Sequence, residues 1–450
     1  MAAARNKPST ELSERVAAFF APRLADGRRV CVALSGGRDS VALLHALADS
    51  REQLPQLEVT ALHVHHNLSA HADDWAGFCG DLCRSLAVPL SVARVKVVDS
   101  GNEGLEAAAR RARYAAFAGC AADWLALAHH RDDQAETLLL NLLRGAGVRG
   151  LAAMPEERPL PGTTVRLVRP LLPIARQEID AWLRTRGAAW VEDDSNIDTR
   201  LRRNFIRSDV MPVLASAFPD PVATLARTAA HLADHAVLST ELALIDAKGV
   251  IDGGTICLRS FNSLPPTRRD NLLRHYLRQH GLRMPDARYL AEIVRQLADA
   301  AADAAPVLPI DCAELRVFRG RLHVCAAEAG RAEGALTPLV WDGRTATPWA
   351  NGVLRPMFAD GVGLSRQRLA GGKLTVRQRV GGERLQPDPA RPRRALKKLL
   401  QASAMPVWVR ARLPLLWCDG QLVWVAGIGC DEQFAAAPGE AGMLPIWEAG

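Results

Sequence analysis

The sequence predicts an α/β protein: an N-terminal doubly wound parallel sheet, a helical middle domain and a small α+β C-terminal domain. Three observations carry this expectation. Over the first ~210 of 450 residues, short apolar runs alternate with helix-period segments, the pattern of a parallel sheet with helices on both faces. After Phe218-Pro219-Asp220-Pro221 the chain becomes rich in Ala, Leu and Arg at helical spacing. From residue 373 strand-like segments return, at Leu374–Arg379 and Leu422–Ile428. An apolar fraction of 48% with 23% charged residues is that of a folded globular chain and excludes fibrous or wholly disordered classes.

In order, the predicted strands are Arg29–Leu34, Val59–Val64, Leu90–Val98 and Trp124–Ala128. Predicted helices intervene at Val41–Ala48, Asp74–Ala87 and Leu105–Ala121, and one follows at Asp132–Arg144. In such sheets ligands bind beyond the carboxyl ends of the strands, near the point where strand order reverses. The domain boundaries read from the sequence are 1–218, 219–326 (mainly helical), a linker or irregular segment 327–372, and a basic domain 373–450.

Fifty-six Lys and Arg against 49 Asp and Glu give a net charge of +7, which permits a polyanionic partner without requiring one. No apolar run approaches the ~18–20 residues that span a bilayer. The N-terminus mixes Arg5 and Lys7 with Glu11 and Glu14 and has no apolar export core. The nine cysteines form no C-x-x-C pair and read as reduced core thiols. A cytoplasmic location with no membrane partner is expected.

Ser35-Gly36-Gly37-Arg38-Asp39-Ser40 joins the first strand to the first helix. Two glycines let backbone N–H groups approach an anion, and the helix N-terminus adds partial positive charge. The turn can cradle a phosphate or pyrophosphate, although the Walker A pattern is absent. Taken alone, S-G-G also suits an ordinary strand-to-helix turn. In full, S-G-G-x-D-S at the end of the first strand resembles the PP-loop ATP-pyrophosphatase superfamily. That resemblance implies a PP-loop, Rossmann-like fold and ATP as co-substrate. Ser35, Gly36, Gly37, Asp39 and Ser40 would hold its pyrophosphate end, and Asp39 would lie near Mg²⁺. Gly145-Ala146-Gly147-Val148-Arg149-Gly150 fits G-x-G-x-x-G, but it follows a helix instead of a strand and so lacks the dinucleotide-fold context.

Three further constellations stand in the first domain. His63-Val64-His65-His66-Asn67 closes the second strand; no third and fourth ligand accompany it for zinc, and a structural role is the alternative. Glu106, Arg110, Arg113 and Tyr114 share a helix face. His129-His130-Arg131-Asp132-Asp133-Gln134-Ala135-Glu136 opens a helix with three acids, which can favour the dipole, hold Mg²⁺ or receive an amine. Glu192-Asp193-Asp194-Ser195-Asn196-Ile197-Asp198 leads to Arg200, Arg202, Arg203, Asn204 and Arg207. H-x-x-D-D-Q-x-E-T and E-D-D-S-N-x-D followed by R-N-x-x-R resemble the tRNA(Ile)-lysidine synthetase family. By that resemblance, His63 contacts ATP, Asp133 and Glu136 receive the L-lysine ammonium, and Asp132 sits by the metal. Arg203 neutralises the adenylate, and Glu106, Arg110, Arg113 and Arg207 contact phosphate or tRNA.

The basic segment Lys373–Arg412 holds eleven Lys and Arg against Glu383 and Asp388, a net of +9. The rest of the chain therefore sums to −2. Arg393-Arg394 and Lys397-Lys398 would lie one turn apart in a helix, and Trp408 and Trp417 could stack on bases. A phosphate-tracking patch is the functional reading and a solvated basic face the plain one. The segment also resembles the C-terminal domain of the same family. The activity implied is ATP-dependent ligation of lysine to C2 of the wobble cytidine in the CAU anticodon of tRNA(Ile), through an adenylated cytidine. Asp39, Asp133, Glu136 and Arg203 would be the catalytic set. The alternatives are another PP-loop tRNA-modifying or amidating ligase, or a non-catalytic tRNA-binding relative. The oligomeric state, a homodimer included, is open.

Overall fold

Val30, Cys31 and Val32 are buried on both sides of one strand, which only a sheet covered on both faces allows. In the computed structural model the described residues are 8–98, 104–192, 200–299, 306–327, 337–350, 352–403, 405–410 and 412–449. The chain divides into two units, Met1–Asp246 and Ala247–Gly450.

The first unit begins with α1 (Pro8–Phe20), β1 (Arg29–Ala33), α2 (Arg38–Ser50), β2 (Glu58–His65), α3 (Ala72–Ser85) and β3 (Leu90–Arg94). It continues through α4 (Leu105–Ala118), β4 (Trp124–Ala126), α5 (Arg131–Leu142), α6 (Val148–Leu151), β5 (Glu157–Pro159), β6 (Arg166–Val168) and α7 (Arg176–Thr185). The sheet order is β3-β2-β1-β4-β6-β5, and only β5 runs antiparallel. Val30 lies between Val59 of β2 and Trp124 of β4. β1 is thus where the strand order reverses, and the loops after β1 and β4 open into one crevice.

Side-chain alternation sorts β1 onto two cores. Val30 and Val32 join Leu12, Val16 and Phe20 of α1, Leu44 and Leu47 of α2, and Ile179, Trp182 and Leu183 of α7. Cys31 faces the other way, with Leu62, Phe117, Leu125 and Leu167. The strand expected to reach Val98 ends at Arg94. β2 stops at His65, whose carbonyl accepts from Val95 N at 2.9 Å, and no further rungs are on offer.

Two short helices, α8 (Arg202–Phe205) and α9 (Met211–Ala217), flank a π-helical turn over Ile206–Val210. The 30-residue α10 (Pro221–Val250) follows.

In the second unit, α11 (Leu258–Ser263), α12 (Pro266–Gln279) and α13 (Ala287–Asp299) accompany an antiparallel sheet. That sheet comprises β7 (Ile251–Asp252), β8 (Thr255–Cys257), β9 (Val307–Ile310), β10 (Ala313–Phe318) and β11 (Arg321–Ala326), in the order β7-β8-β11-β10-β9. Beyond residue 337 come β12 (Leu339–Val340), β13 (Thr347–Trp349), β14 (Gly352–Asp360), β15 (Leu364–Ser365), α14 (Arg366–Leu369), β16 (Leu374–Arg377), β17 (Arg384–Leu385) and β18 (Arg394–Ala395). The chain then forms α15 (Leu396–Ala402), α16 (Val407–Arg410), β19 (Leu415–Cys418), β20 (Gln421–Val425), β21 (Gly429–Cys430) and β22 (Ala441–Ala449). One sheet runs β12-β16-β19-β20-β21 and another β13-β14-β22-β15. Leu354, Leu364 and Met443 share a core with Val376, Leu415, Leu416, Val423 and Val425.

All nine cysteines are free thiols, but only Cys31, Cys79, Cys83 and Cys418 are buried, and Cys312 is exposed. No helix among the described residues is long and apolar enough to cross a membrane.

Candidate active site

The turn from β1 to α2 is built around Gly36, whose φ of +88° suits glycine. A Cβ there would lie 3.2 Å from the Cys79 Sγ. Gly37 caps α2 in extended conformation without a side-chain bond, leaving the first N–H groups of the helix for an anion. Ser40 ties the turn together. Its Oγ donates to Gly37 O at 2.8 Å and accepts from Ser35 N at 3.2 Å. The Ser35 and Ser40 hydroxyls meet at 3.0 Å.

His63 lies beside this turn and is buried. Its Nδ1 bonds Leu34 O at 2.9 Å, and burial pushes its pKa down. It is thus a neutral ring that donates from Nδ1 and pins the end of β1.

His130 links the two strand ends. It caps α5 and is itself buried. Its Nε2 lies 3.5 Å from Asp39 Oδ2 and 3.6 Å from Asp133 Oδ2, and its Nδ1 lies 3.7 Å from Asp132 Oδ2. Burial works against charge on the ring, yet the Asp39, Asp133 and Asp132 carboxylates raise its pKa. Asp39 shows the reciprocal effect: burial would raise it, but His130 and Arg38 hold it at about 2. Arg38 also reaches Asp180 of α7 at 2.8 Å.

The acids of α5 part company. Asp132 Oδ2 accepts from Arg176 N, at the start of α7, at 2.9 Å. Asp133 and Glu136 turn inward, both buried. There Arg203 Nη2 meets Asp133 Oδ1 at 3.0 Å and Arg203 Nε meets Glu136 Oε2 at 2.9 Å. Arg207 Nε meets Glu136 Oε1 at 2.6 Å, and its Nη2 reaches Asp133 Oδ1 at 3.2 Å and Glu136 Oε2 at 2.9 Å. Two carboxylates and two guanidiniums thus balance. Burial would raise the Asp133 pKa, but His130 and Arg203 lower it overall.

A cationic flank adjoins this network. Arg110 and Arg158 both donate to the Tyr114 hydroxyl, at 3.1 and 2.9 Å. Arg169 is buried and donates to His129 Nδ1 at 3.2 Å. Burial first, with Arg158 and Arg110 nearby, lowers the Arg169 pKa to about 10. Arg113 lies close enough to His66 to depress its pKa, after burial.

Among the predicted residues, Ser35, Gly36, Gly37, Asp39, Ser40, His63, Asp132, Asp133, Glu136, Arg203 and Arg207 converge within this unit. The Glu106 side chain and the acidic string 193–198 lie outside the described residues. Sequence reasoning assigned no separate role to His130, Arg158 or Arg169. His130 stood inside the quoted motif, whereas Arg158 and Arg169 carried no local signal.

In the second unit Arg393 Nη2 pairs with the buried Asp431 at 2.7 Å. Arg394 lies in β18, and α15 starts only at Leu396, so the expected single helical stripe is not formed. Lys397 and Lys398 are exposed on α15. Trp408 stands edge-on to Phe318 and His323, with the Arg316 guanidinium 5.4 Å from its ring centre. Arg377 lies 5.3 Å from the Trp417 ring centre.

No three His, Cys, Asp or Glu side chains gather as a metal cage among the described residues. Asp39 offers hard carboxylate oxygens at the anion-binding turn, the donor type Mg²⁺ uses alongside phosphate oxygens. In that sense the residues fit the ion.

Comparison with known proteins matches residues 8–214 to the PP-loop domain. Residues 257–323 match the TilS substrate binding domain and 374–447 the TilS substrate C-terminal domain. Among similar curated proteins, the tRNA(Ile)-lysidine synthase of Nitrosomonas europaea is 44% identical, over 99% of this chain and 98% of that one. That of Azoarcus sp. is 40% identical, over 95% and 93%. That of Pseudomonas aeruginosa is 43% identical, over 98% of both.

Proposed function

This chain belongs to the tRNA(Ile)-lysidine synthase family, and from that premise we propose that it joins L-lysine to C2 of the wobble cytidine in the CAU anticodon of tRNA(Ile), converting ATP to AMP and diphosphate. The observation that carries this reading is the network of the buried Asp133 and Glu136 with the half-buried Arg203 and Arg207, beside the His130–Asp39 contact.

The ring of chemistry runs from the turn to the network. The N–H groups at the start of α2 and the Ser35 hydroxyl bind the pyrophosphate end of ATP, on a turn that Ser40 braces by donating to Gly37 O. His63 holds the strand end that supports the turn. Asp39 would hold Mg²⁺, with Asp132 on the opposite edge of His130; the ion would offset charge on the leaving diphosphate. Arg203 and Arg207 stabilise negative charge on the adenylate as it forms. Asp133 and Glu136 receive the lysine ammonium, and one of them takes its proton so that the free amine can attack C2 and expel AMP.

In the C-terminal segment the half-buried Arg394 and the exposed Lys397 and Lys398 track tRNA phosphates, and Arg110 and Arg113 do so in the first unit. Glu106, on the same helix as those two arginines, belongs to the same phosphate or tRNA contact.

The test is AMP release from the purified chain with ATP, L-lysine and unmodified tRNA(Ile). Release that requires both lysine and tRNA is expected. No lysine-dependent release overturns the reading. ATP–diphosphate exchange should likewise appear only with tRNA.

A further inference from the structure

All four carboxylate oxygens of Asp133 and Glu136 already have donors. Asp133 Oδ2 accepts from His130 N at 3.0 Å, and Asp133 Oδ1 and both Glu136 oxygens accept from guanidiniums. A cationic amine entering this pocket would meet a balanced set of charges instead of an uncompensated pair of acids. The side chains of the two acids are 11% and 3% exposed, whereas those of Arg203 and Arg207 are 34% and 29% exposed. The arginines therefore cover the acids from the solvent side, on long side chains that can swing without moving the backbone.

Arg207 also has another pole of attraction. Its raised pKa reflects, after the burial that opposes it, Glu136 and Asp133 together with Asp39 of the anion-binding turn. The guanidinium stands within electrostatic reach of the place where phosphate would bind. Guanidinium forks pair with phosphate as readily as with carboxylate. A triphosphate carries more charge than the acids it would compete with. Arg207 enters from a π-helical turn, a geometry frequent at functional sites.

We propose that Arg203 and Arg207 mask the amine-binding acids until a triphosphate draws them away, so that lysine binds productively only after ATP. This inference rests on the function proposed above and adds an order of binding to it. Its chemical sense is protection: a vacant amine site without nucleotide would admit lysine, or other alkyl ammonium ions, with nothing to react with. Once the arginines turn to the phosphates, Asp133 and Glu136 carry uncompensated charge and attract the ammonium. Thermodynamic linkage makes the effect reciprocal, so lysine should tighten triphosphate binding by the same factor.

The experiment is equilibrium dialysis of radiolabelled L-lysine against the full chain, with and without α,β-methylene-ATP, which cannot release diphosphate. Lysine binding about tenfold tighter with the analogue is expected, in the usual range of such couplings. Equal affinity in both states overturns the masking. The variants Arg203→Gln and Arg207→Gln give a test of sign. Each should tighten lysine binding in the absence of nucleotide and shrink the coupling. Weaker lysine binding by a variant that still melts cooperatively would mean the arginine only holds the pocket together, and would overturn the proposal. The wild-type comparison stands even if a variant fails to fold. Loss of lysine-dependent AMP release would be a failure of the proposed function itself. Intact AMP release with uncoupled lysine binding sinks the masking alone.

Discussion

His129 and His130 are neighbours in the chain and are driven in opposite directions. Burial, with Arg169 close by, pushes His129 down to about 3, while the surrounding carboxylates raise His130 against its burial. For His129 the unfolded ring, near 6.5, takes up a proton that the folded ring refuses until about pH 3. Its contribution to stability is therefore complete above about pH 6.5 and declines as pH falls toward 3. Urea melts at pH 7 and pH 5 should show wild type losing more stability than His129→Gln; equal losses would contradict this. At Glu136, replacement by Gln removes one of two acids facing two arginines. Lysine incorporation should fall by at least about a hundredfold, the scale of general acid–base catalysis, with ATP binding retained. Full incorporation by Glu136→Gln would remove that residue from the mechanism. The acids were legible in the sequence because they sit in one helical turn. Their arginine partners lie 67 to 74 residues away, and no local pattern encodes such a pairing.

Among the elements, the turn after β1 is the one whose conformation the sequence specifies most directly. Gly36 has φ +88°, and a side chain there meets Cys79 at 3.2 Å. Gly36→Ala should cost about 1–2 kcal/mol of stability from the left-handed backbone alone. It should also weaken ATP binding, because the turn's N–H groups would shift. Thermal melts together with nucleotide titration would check both, and unchanged ATP affinity would show that the turn does not hold the phosphates. The early strands were readable because β-branched and apolar residues cluster where both faces are covered. α1 escapes the strand–helix alternation that marks the rest of the unit, although Leu12, Val16 and Phe20 recur at four-residue spacing and all three are buried. β6 has only three residues, Arg166–Val168, too few to show a period. Its place beside β4 is decided by tertiary pairing at Trp124 and Ala126.

For the whole molecule, the net charge of +7 hides a division, because Lys373–Arg412 carries +9 and the remainder −2. The basic residues of that segment do not act alike. Lys397 and Lys398 are exposed and are free to meet phosphates. Replacing both with Gln should weaken tRNA binding and reduce the salt slope by about 1.4–1.8, since each phosphate left without its cation lowers it by roughly 0.7–0.9. ATP affinity should stay unchanged; an equal loss of ATP binding would deny this segment a tRNA-specific role. Arg393 instead holds the buried Asp431, so Arg393→Ala should lower stability by about 1–3 kcal/mol, read by denaturant melts. Composition revealed where the charge lies. It could not separate a structural arginine from a free lysine, because the carboxylate that decides is 38 residues further on.

The final strand also bears on the order in which the protein can be completed. β22 pairs with β14 over nine residues, from Gly352↔Ala449 to Asp360↔Ala441, and is a central strand of its sheet. β14 is synthesised some eighty residues earlier, so during translation one edge of it waits without its partner. Gly442 of β22 sharpens the point, because even a Cβ there would come within 2.7 Å of Ala359 O in β14: the two backbones are built to close without a gap. A premature stop anywhere before residue 441 would therefore leave β14 as a bare template for strands of other chains, and such a truncated product should aggregate instead of persisting as a shortened enzyme.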